Sequence, residues 1–399
     1  MADLVEEIDC LIVGGGLTGM ALMCALAPLG YRVLLAEARI DDGATPHILE
    51  TRSIALAPAS IHILKQLEVW PLLVDAAAPI DTIHISEQGR FGQARLHRAR
   101  DAESLGAVIE MHVLLNALKT RIDAADMLVP ARVTALDSKT GCAQLQTVAG
   151  EKRVRARWVI AADGAHSSQR AFCDASAECK NYPEQALATN VRLSRSHRQI
   201  AYERFTADGP LALLPLNGPH MALVWTLPPE QAELLKTMPE PEFLKALQHA
   251  FGYRVGRFLA VGPRATYPLQ QVMMPQQVYN RVAFIGNAAH TLHPVAGQGF
   301  NLGLRDVAML AECAAKFDLT HETLLKYQRL RKSDQKIITT ATDGLVSLFK
   351  NKLPGVGLLR RSGLIALDNS TLLKNIVLRY AKGFGGVVPD LVRGVSLDV

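Results

Sequence analysis

Three short stretches of this 399-residue chain hold the residue types that do cofactor chemistry. The first, Gly14-Gly15-Gly16-Leu17-Thr18-Gly19, has the spacing of a dinucleotide fingerprint. In that fingerprint Gly14 lets the chain turn, Gly16 lets the backbone approach a pyrophosphate, and Gly19 lets a helix pack closely on a strand. Glu37 follows where an acid accepts hydrogen bonds from a ribose diol, which favours FAD or NAD over NADP; spacing alone does not separate those two. The second stretch, Asp163-Gly164, ends an apolar run and offers a carboxylate where open α/β sheets bind ligands, although a plain turn aspartate fits equally well. The third runs from Gly286 and Asn287 to Asp306 and carries Pro294, Gly297 and Gly299 in a loop whose amides suit something flat or anionic. Arg52, at a polar-to-apolar switch, is placed either to reach a phosphate or to remain a solvated charge.

The elements that must position these residues follow from periodicity. Residues 8–13 read as a buried strand, 17–29 as a helix and 32–36 as a second strand, a βαβ unit around the first glycines. Residues 157–162 form a strand ending at Asp163, with serines as N-caps of a following helix. Residues 282–285 form the strand before the third motif, with a helix from 301 to about 317. Residues 80–96 alternate as strands; 108–118 have helical spacing, with His112 near the start as a phosphate contact or, more commonly, a surface histidine. Strands at 202–206, 211–216 and 221–226, a helix at 241–251 and a strand at 265–269 make a second domain. The expected fold is α/β: a G-x-G-x-x-G Rossmann-like domain in segments 1–79, 107–178 and 277–334, an inserted mixed β-sheet domain in 80–106 and 179–276, and a C-terminal helical region at 335–399. An inserted sheet domain leaves a cleft for substrate.

Composition narrows the classes. A net charge of +5, 49% hydrophobic and 20% charged residues fit a globular enzyme, and no basic run with interleaved aromatics suggests nucleic acid. The basic excess lies in the tail, with seven Lys or Arg against two acids between Asp343 and Lys382. Six cysteines without a CxxC pair read as reduced packing residues. Residues 10–31 carry no charge and tempt a transmembrane reading, but the glycine fingerprint argues against it. The acidic start lacks the basic region of a secretory signal, so a cytoplasmic protein is expected.

Taken together, the three motifs in this order resemble the group A FAD-dependent aromatic hydroxylases, the para-hydroxybenzoate hydroxylase-like flavoproteins, over essentially the whole chain. GPLALLPL at 209–216, ALVW at 222–225 and AGQGFNLGLRD at 296–306 are similar to the ubiquinone-biosynthesis hydroxylases within that superfamily. TLHP at 291–294 and TDGLVSLF at 342–349 look most like the subgroup acting on 2-polyprenyl-6-methoxyphenol.

The resemblance implies non-covalent FAD, with NADPH or NADH as a transient reductant that docks without a Rossmann domain of its own. It places Gly14, Gly16, Leu17, Thr18 and Gly19 at the pyrophosphate, Glu37 at the adenosine ribose and Arg52 on the phosphate side. Val133, Asp163, Gly164, Gly286 and Asn287 join the contact set, and Pro294, Gly297, Gln298, Gly299, Phe300 and Asn301 lie along the isoalloxazine. Most of the superfamily has aspartate where Asn287 stands; asparagine keeps an acceptor but loses the charge.

The implied reaction is ring hydroxylation of a polyprenylated phenol by O₂ through a flavin C4a-hydroperoxide, giving the 1,4-benzoquinol, in a cleft that excludes water. Spacing does not select the proton-handling residue among His220, His290, His293, Tyr202 and Tyr267, and no metal site is expected. Two other readings stay open: an FAD-dependent reductase or dehydrogenase of an isoprenoid, and a non-catalytic lipid-binding FAD subunit of a quinone-biosynthesis complex. Leu372, Leu373, Ile376, Val377 and Tyr380 form one face of a basic tail helix, suited to the inner membrane surface, to partner proteins of the pathway, or to a homo-oligomer interface.

Overall fold

The computed structural model describes residues 5–39, 52–100, 102–292, 297–350 and 356–397. Its organising element is an eight-stranded sheet whose central strand, Val5–Val13, lies between Gly150–Ala161 and Val33–Ala36, parallel to both. Val282–Phe284 adds to Gly150–Ala161, again in parallel. The strand ends register with one another: Val13 pairs with Ala36 and with Ala161, and Ala161 pairs with Phe284. Four chain segments therefore leave the sheet at one edge, the carboxyl ends where such sheets bind ligands.

Helices cover the sheet because its strands are apolar on both faces. Leu17–Leu26 is apolar all round, with nine of its ten residues buried, which explains the uncharged stretch at 10–31 as a core helix. Gln298–Lys316 packs beside it, and His321–Lys350 packs in turn on Gln298–Lys316. Among the described residues no helix is long and apolar enough to cross a membrane.

The second domain is a nine-stranded sheet. Its 16-residue strand Glu178–Leu193 pairs with both His220–Leu227 and Ala265–Met273. The helices Pro229–Thr237 and Glu240–Phe251 cover one face, packing Phe243 and Leu247 over Leu187, Leu211, Leu223 and Trp225. The other face turns toward the nucleotide domain, where Ala201, Leu216 and Ala222 share a buried cluster with Ile80 and Val108. A three-stranded sheet, Ser53–Leu56, Gly106–Glu110 and Ala78–Ile80, floors the space between the two domains.

Several expectations need correction. Residues 108–110 are strand, not helix; the helix is Met111–Lys119, because Val108 and Ile109 are taken by pairing with Ser53–Leu56. Gly299 lies inside the helix Gln298–Lys316 rather than in the loop before it. The break expected at 335 falls within the unbroken helix His321–Lys350, and the last short helix, Asp390–Arg393, returns to bury Leu391 and Val392 in the nucleotide-domain core. Cys10, Cys24 and Cys313 are buried as expected of packing residues, but Cys179 is exposed; all six thiols are free.

Candidate active site

The first motif emerges directly from the end of the Val5–Val13 strand. Gly14 has φ of 111°, and a Cβ there would lie 2.6 Å from the Ala162 carbonyl oxygen. A Cβ on Gly19 would lie 2.0 Å from the Gly14 carbonyl oxygen, so the helix can approach its strand only without a side chain there. Gly16, at the helix N-cap, faces open space, with no heavy atom within 4 Å of an added Cβ. The helix therefore points free amides and the positive end of its dipole at an empty groove.

The other segments meet it there. The Glu37 carboxylate accepts hydrogen bonds from Gly15 N at 2.5 Å and Arg39 N at 2.8 Å, which locks the acid against the glycine turn. Val133 is buried on the strand Ala131–Asp137, whose first residue is tied back to the Glu37 carbonyl. Gly286 packs on Thr18: an added Cβ would meet that side chain at 3.0 Å. Asn287 stays exposed beside it.

Asp163 corrects one detail. The Ser168 hydroxyl accepts no capping bond; instead Asp163 Oδ2 accepts from Ser168 N at 3.0 Å, so the aspartate caps the short helix Gln169–Phe172. Its other oxygen, Oδ1, is buried without a partner among the described residues, as are Gln298 Oε1 and Ser53 Oγ. Gly164 and Gly299 both border open space. Unsatisfied buried acceptors beside a glycine-lined groove fit a ligand rich in hydroxyl and amide donors, the chemistry of a flavin with its ribityl and ribose groups. Bound there, FAD would activate O₂ after reduction by NAD(P)H.

Asn301 has a supporting role. Its Oδ1 accepts from Ala57 N and Ser60 Oγ, both at 2.7 Å, and its Nδ2 donates to Ala55 O and Gly297 O at 2.9 and 2.8 Å. With these bonds made, the side chain fastens the helix start to the Ser53–Leu56 strand. Gln298 and Phe300 are half-buried at that start. Arg52 is exposed, and its guanidinium stacks with its centre 4.2 Å from the centroid of the Tyr267 ring, joining the two domains across the cleft. Pro294 and His293 lie outside the described residues.

Behind the third motif lies a fully buried charge network that sequence reading missed. Asp306 accepts from Gly286 N at 3.0 Å, His290 Nε2 at 2.5 Å, Arg331 Nε at 2.8 Å and Gln335 Nε2 at 3.0 Å. Asp334 ion-pairs with both Arg305 and Arg331. Burial alone would raise the Asp306 carboxyl, but the charges of His290 and Arg331 override it and hold the group well below the ordinary carboxylate range. Burial also lowers the Arg305 guanidinium to about 10. The network pins the Gly286 turn to two helices. The i, i+4 spacing of Arg331 and Gln335 is the sequence signal that could have found it.

The proton-handling candidates separate cleanly. His290 is wholly buried in that network, and no cluster able to hold a metal exists among the described residues. His220 bonds the Asn217 carbonyl at a strand end, and His112 sits near Glu110. Tyr202 points to the helix-covered face, edge-on to Phe251 with ring centroids 5.4 Å apart, and burial raises its phenol. Among the described candidates Tyr267, under Arg52, and His220, at the strand end, lie on the cleft-side face of the sheet.

Residues 7–336 match the family described as an FAD binding domain. Ubiquinone hydroxylase UbiL of Rhodospirillum rubrum is 36% identical, the match covering 98% of this chain and 93% of that protein. The 3-demethoxyubiquinol 3-hydroxylase of Escherichia coli K12 is 31% identical, covering 95% of this chain and 99% of its own length. Among solved structures, p-nitrophenol 4-monooxygenase PnpA from Pseudomonas putida shares the fold with a TM-score of 0.78 at 18% identity, over 95% of this chain and 99% of that one.

Proposed function

This chain belongs to the FAD-dependent monooxygenase family that includes the ubiquinone-biosynthesis hydroxylases, and from that premise we propose that it hydroxylates the ring of a polyprenylated phenol, converting 2-polyprenyl-6-methoxyphenol to the 1,4-benzoquinol. The observation that carries the reading is the meeting of Gly16, Glu37, Asp163 and Gly286 at one sheet edge, with a second sheet facing them across an apolar cleft. Gly14, Gly16 and Gly19 would hold the pyrophosphate and Glu37 the adenosine ribose, while Val133, Asp163, Gly164, Gly286, Asn287 and residues 298–301 would line the remainder. NADPH or NADH reduces the flavin from the cleft side.

The protein's own contribution is positioning and dryness. Ala188, Ala212 and Val224 lie on one face of the second sheet and leave little polar surface to admit water. The name of the Escherichia coli relative specifies a different ring carbon, so the position attacked needs its own test. Lipids from cells lacking this protein would be analysed by mass spectrometry for quinone precursors. Accumulated 2-polyprenyl-6-methoxyphenol, cleared when the protein is restored, is the expected result. Accumulated demethoxyubiquinone would move the reaction to another carbon, and normal quinone would overturn the pathway assignment.

We also propose that the helix Thr371–Ala381 rests on an anionic membrane surface from the cytoplasmic side, where such a lipid substrate resides. Leu372, Leu373, Ile376 and Val377 are 70, 42, 48 and 40% exposed, on a helix that also carries Lys374 and Arg379. A lone exposed leucine is ordinary, but four on one helix beside basic residues have the character of an interfacial anchor. Flotation of the protein with vesicles containing phosphatidylglycerol, but not with neutral ones, is expected. Absence from both, or purification as a dimer that covers this helix, would overturn it.

A further inference from the structure

One carboxylate on the cleft side has no task in the network or the cofactor groove. Glu203 lies on the strand Ile200–Phe205, one residue after Tyr202, and successive side chains on a strand point to opposite faces. Tyr202 is on the face covered by Pro229–Thr237 and Glu240–Phe251, so Glu203 is on the opposite one, the face of Ala201 and Ala222, against whose cluster Leu367 and Leu378 of the C-terminal helices also pack. In register across the sheet, Glu203 pairs with Ile85 on one side and Ala212 on the other, and the row continues through Val224 to Ala188. It is the one acid in a row of small and apolar side chains.

The same face leads to the cofactor loop. Ala201, two residues before Glu203, packs in the cluster containing Val108; Val108 pairs with Ala55; and a Cβ on Gly297 would sit 3.4 Å from the Ala55 side chain. Glu203 thus shares its face of the sheet with Ala201, which packs on the strand pair that reaches Ala55 beside Gly297. Among the described residues its carboxyl has no hydrogen-bond or ion-pair partner. Asp306, by contrast, has four donors. Leaving a carboxylate inside protein without a partner is costly, and such groups are found where a ligand completes them.

Resting on the phenol reading above, we propose that Glu203 accepts the hydrogen bond of the substrate hydroxyl and takes its proton as the ring is attacked. The phenol O–H bond breaks, the proton joins a Glu203 carboxylate oxygen, and the bond's electron pair stays on the substrate oxygen, enriching the ring carbon para to it. When the hydroxylated ring regains aromaticity, the C–H bond at the attacked carbon breaks, its electron pair returns to the ring and its proton leaves to solvent, while the Glu203 proton returns to the substrate oxygen, so this proton transfer needs no oxidant or reductant of its own. The environment suits a base: burial pushes the Glu203 carboxyl up to about 7, near the pH at which it would work. Other ionisable groups on this face are Glu87 on the adjoining strand, Tyr267 at the far side under Arg52, and Arg192 and His220 at the sheet's end. The displacement of the Glu203 carboxyl has burial as its only cause, so none of these sets it.

The test uses FAD-loaded wild type, Glu203→Gln and Glu203→Leu, each checked for equal flavin content, with a short-chain 2-prenylphenol and its methyl ether as probes. Wild type is expected to bind the phenol more tightly than the ether, and Glu203→Leu to bind the two alike. Glu203→Gln, which still offers an acceptor but no base, is expected to keep that preference while turnover drops roughly 10²-fold and the acidic limb of its pH profile disappears. Wild-type turnover and pH profile in Glu203→Gln, or undiminished discrimination in Glu203→Leu, would overturn the assignment of Glu203 alone. Failure of the wild type to hydroxylate any prenylated phenol would overturn the substrate reading and this inference with it.

Discussion

Replacing Asp306 with alanine should cost this protein far more than one buried side chain normally does. The carboxylate is fully buried and accepts from a backbone amide, a histidine, an arginine and a glutamine. Without it, Arg331 and Arg305 must share the single carboxylate of Asp334, while Gly286 N and His290 Nε2 lose an acceptor. Breaking a buried ion pair by removing one partner costs about 3–5 kcal/mol, roughly 10²–10⁴ in the folding equilibrium. Because the Gly286 turn packs on Thr18, flavin should loosen along with the fold. Urea unfolding followed by tryptophan fluorescence and by flavin release reads both, with Trp158 buried in the same core as a reporter. Arg331→Met should be similarly damaging, but Asp306→Leu with Arg331→Met together should recover about 2 kcal/mol or more relative to the sum, because neither the Asp306 carboxylate nor the Arg331 guanidinium is left without the other and Arg305 keeps Asp334. A loss under about 1 kcal/mol for Asp306→Ala, or strict additivity in the double variant, would refute the reasoning. The sign of the pH effect also follows. The folded carboxyl lies below its unfolded value, so its stabilisation is present across neutral pH and is lost only on acidification below the ordinary range of aspartate, about pH 4.

Other consequences can be checked separately. Gly16→Val should fold normally yet purify without flavin, since the added side chain fills only the open groove; a yellow, FAD-replete variant would remove the pyrophosphate assignment. Gly19→Ala should instead destabilise the fold itself, because its Cβ would meet the Gly14 carbonyl; an unchanged melting temperature would contradict that packing. Glu203 makes the opposite pH prediction to Asp306. Its folded value is raised from 4.5 to about 7, so stability is full below the unfolded value and declines as pH rises toward 7, by at most about 3 kcal/mol. Thermal melts of Glu203→Gln should lack that decline, and identical pH slopes in the two proteins would count against a desolvated carboxyl. Replacing Leu372 and Ile376 with serine should weaken flotation with anionic vesicles while leaving flavin content unchanged; equal flotation would dismiss the membrane role.

The fold was legible wherever local chemistry and periodicity agree. Gly14, Gly16 and Gly19 between a strand and a helix, and apolar strands ending at Ala161 and Phe284, are signals that survive without any tertiary information. Residues 108–110 misled because a fully buried strand and a helix look alike over a few apolar residues, and pairing with Ser53–Leu56 decides between them. The long strand Glu178–Leu193 was not anticipated, as its exposed first half is polar and carries Pro183. Among site residues, the glycines and Glu37 declare themselves by spacing. Asp306 and Arg331 do not, since charges on helices normally read as solvated surface, and only packing shows them at 0% exposure. Glu203 was hidden for a related reason: Tyr202, its neighbour, has the more suggestive side chain, and which of two adjacent residues faces the cleft depends on which face the helices cover.

The central claim, ring hydroxylation by a flavin enzyme, is tested most directly with purified, FAD-loaded protein given NADPH, isotopically labelled O₂ and 2-polyprenyl-6-methoxyphenol. Mass spectrometry should find one labelled oxygen in a quinol product, with NADPH consumed in equal amount. NADPH oxidation that yields only peroxide, or a reduced isoprenoid without label, would contradict the account.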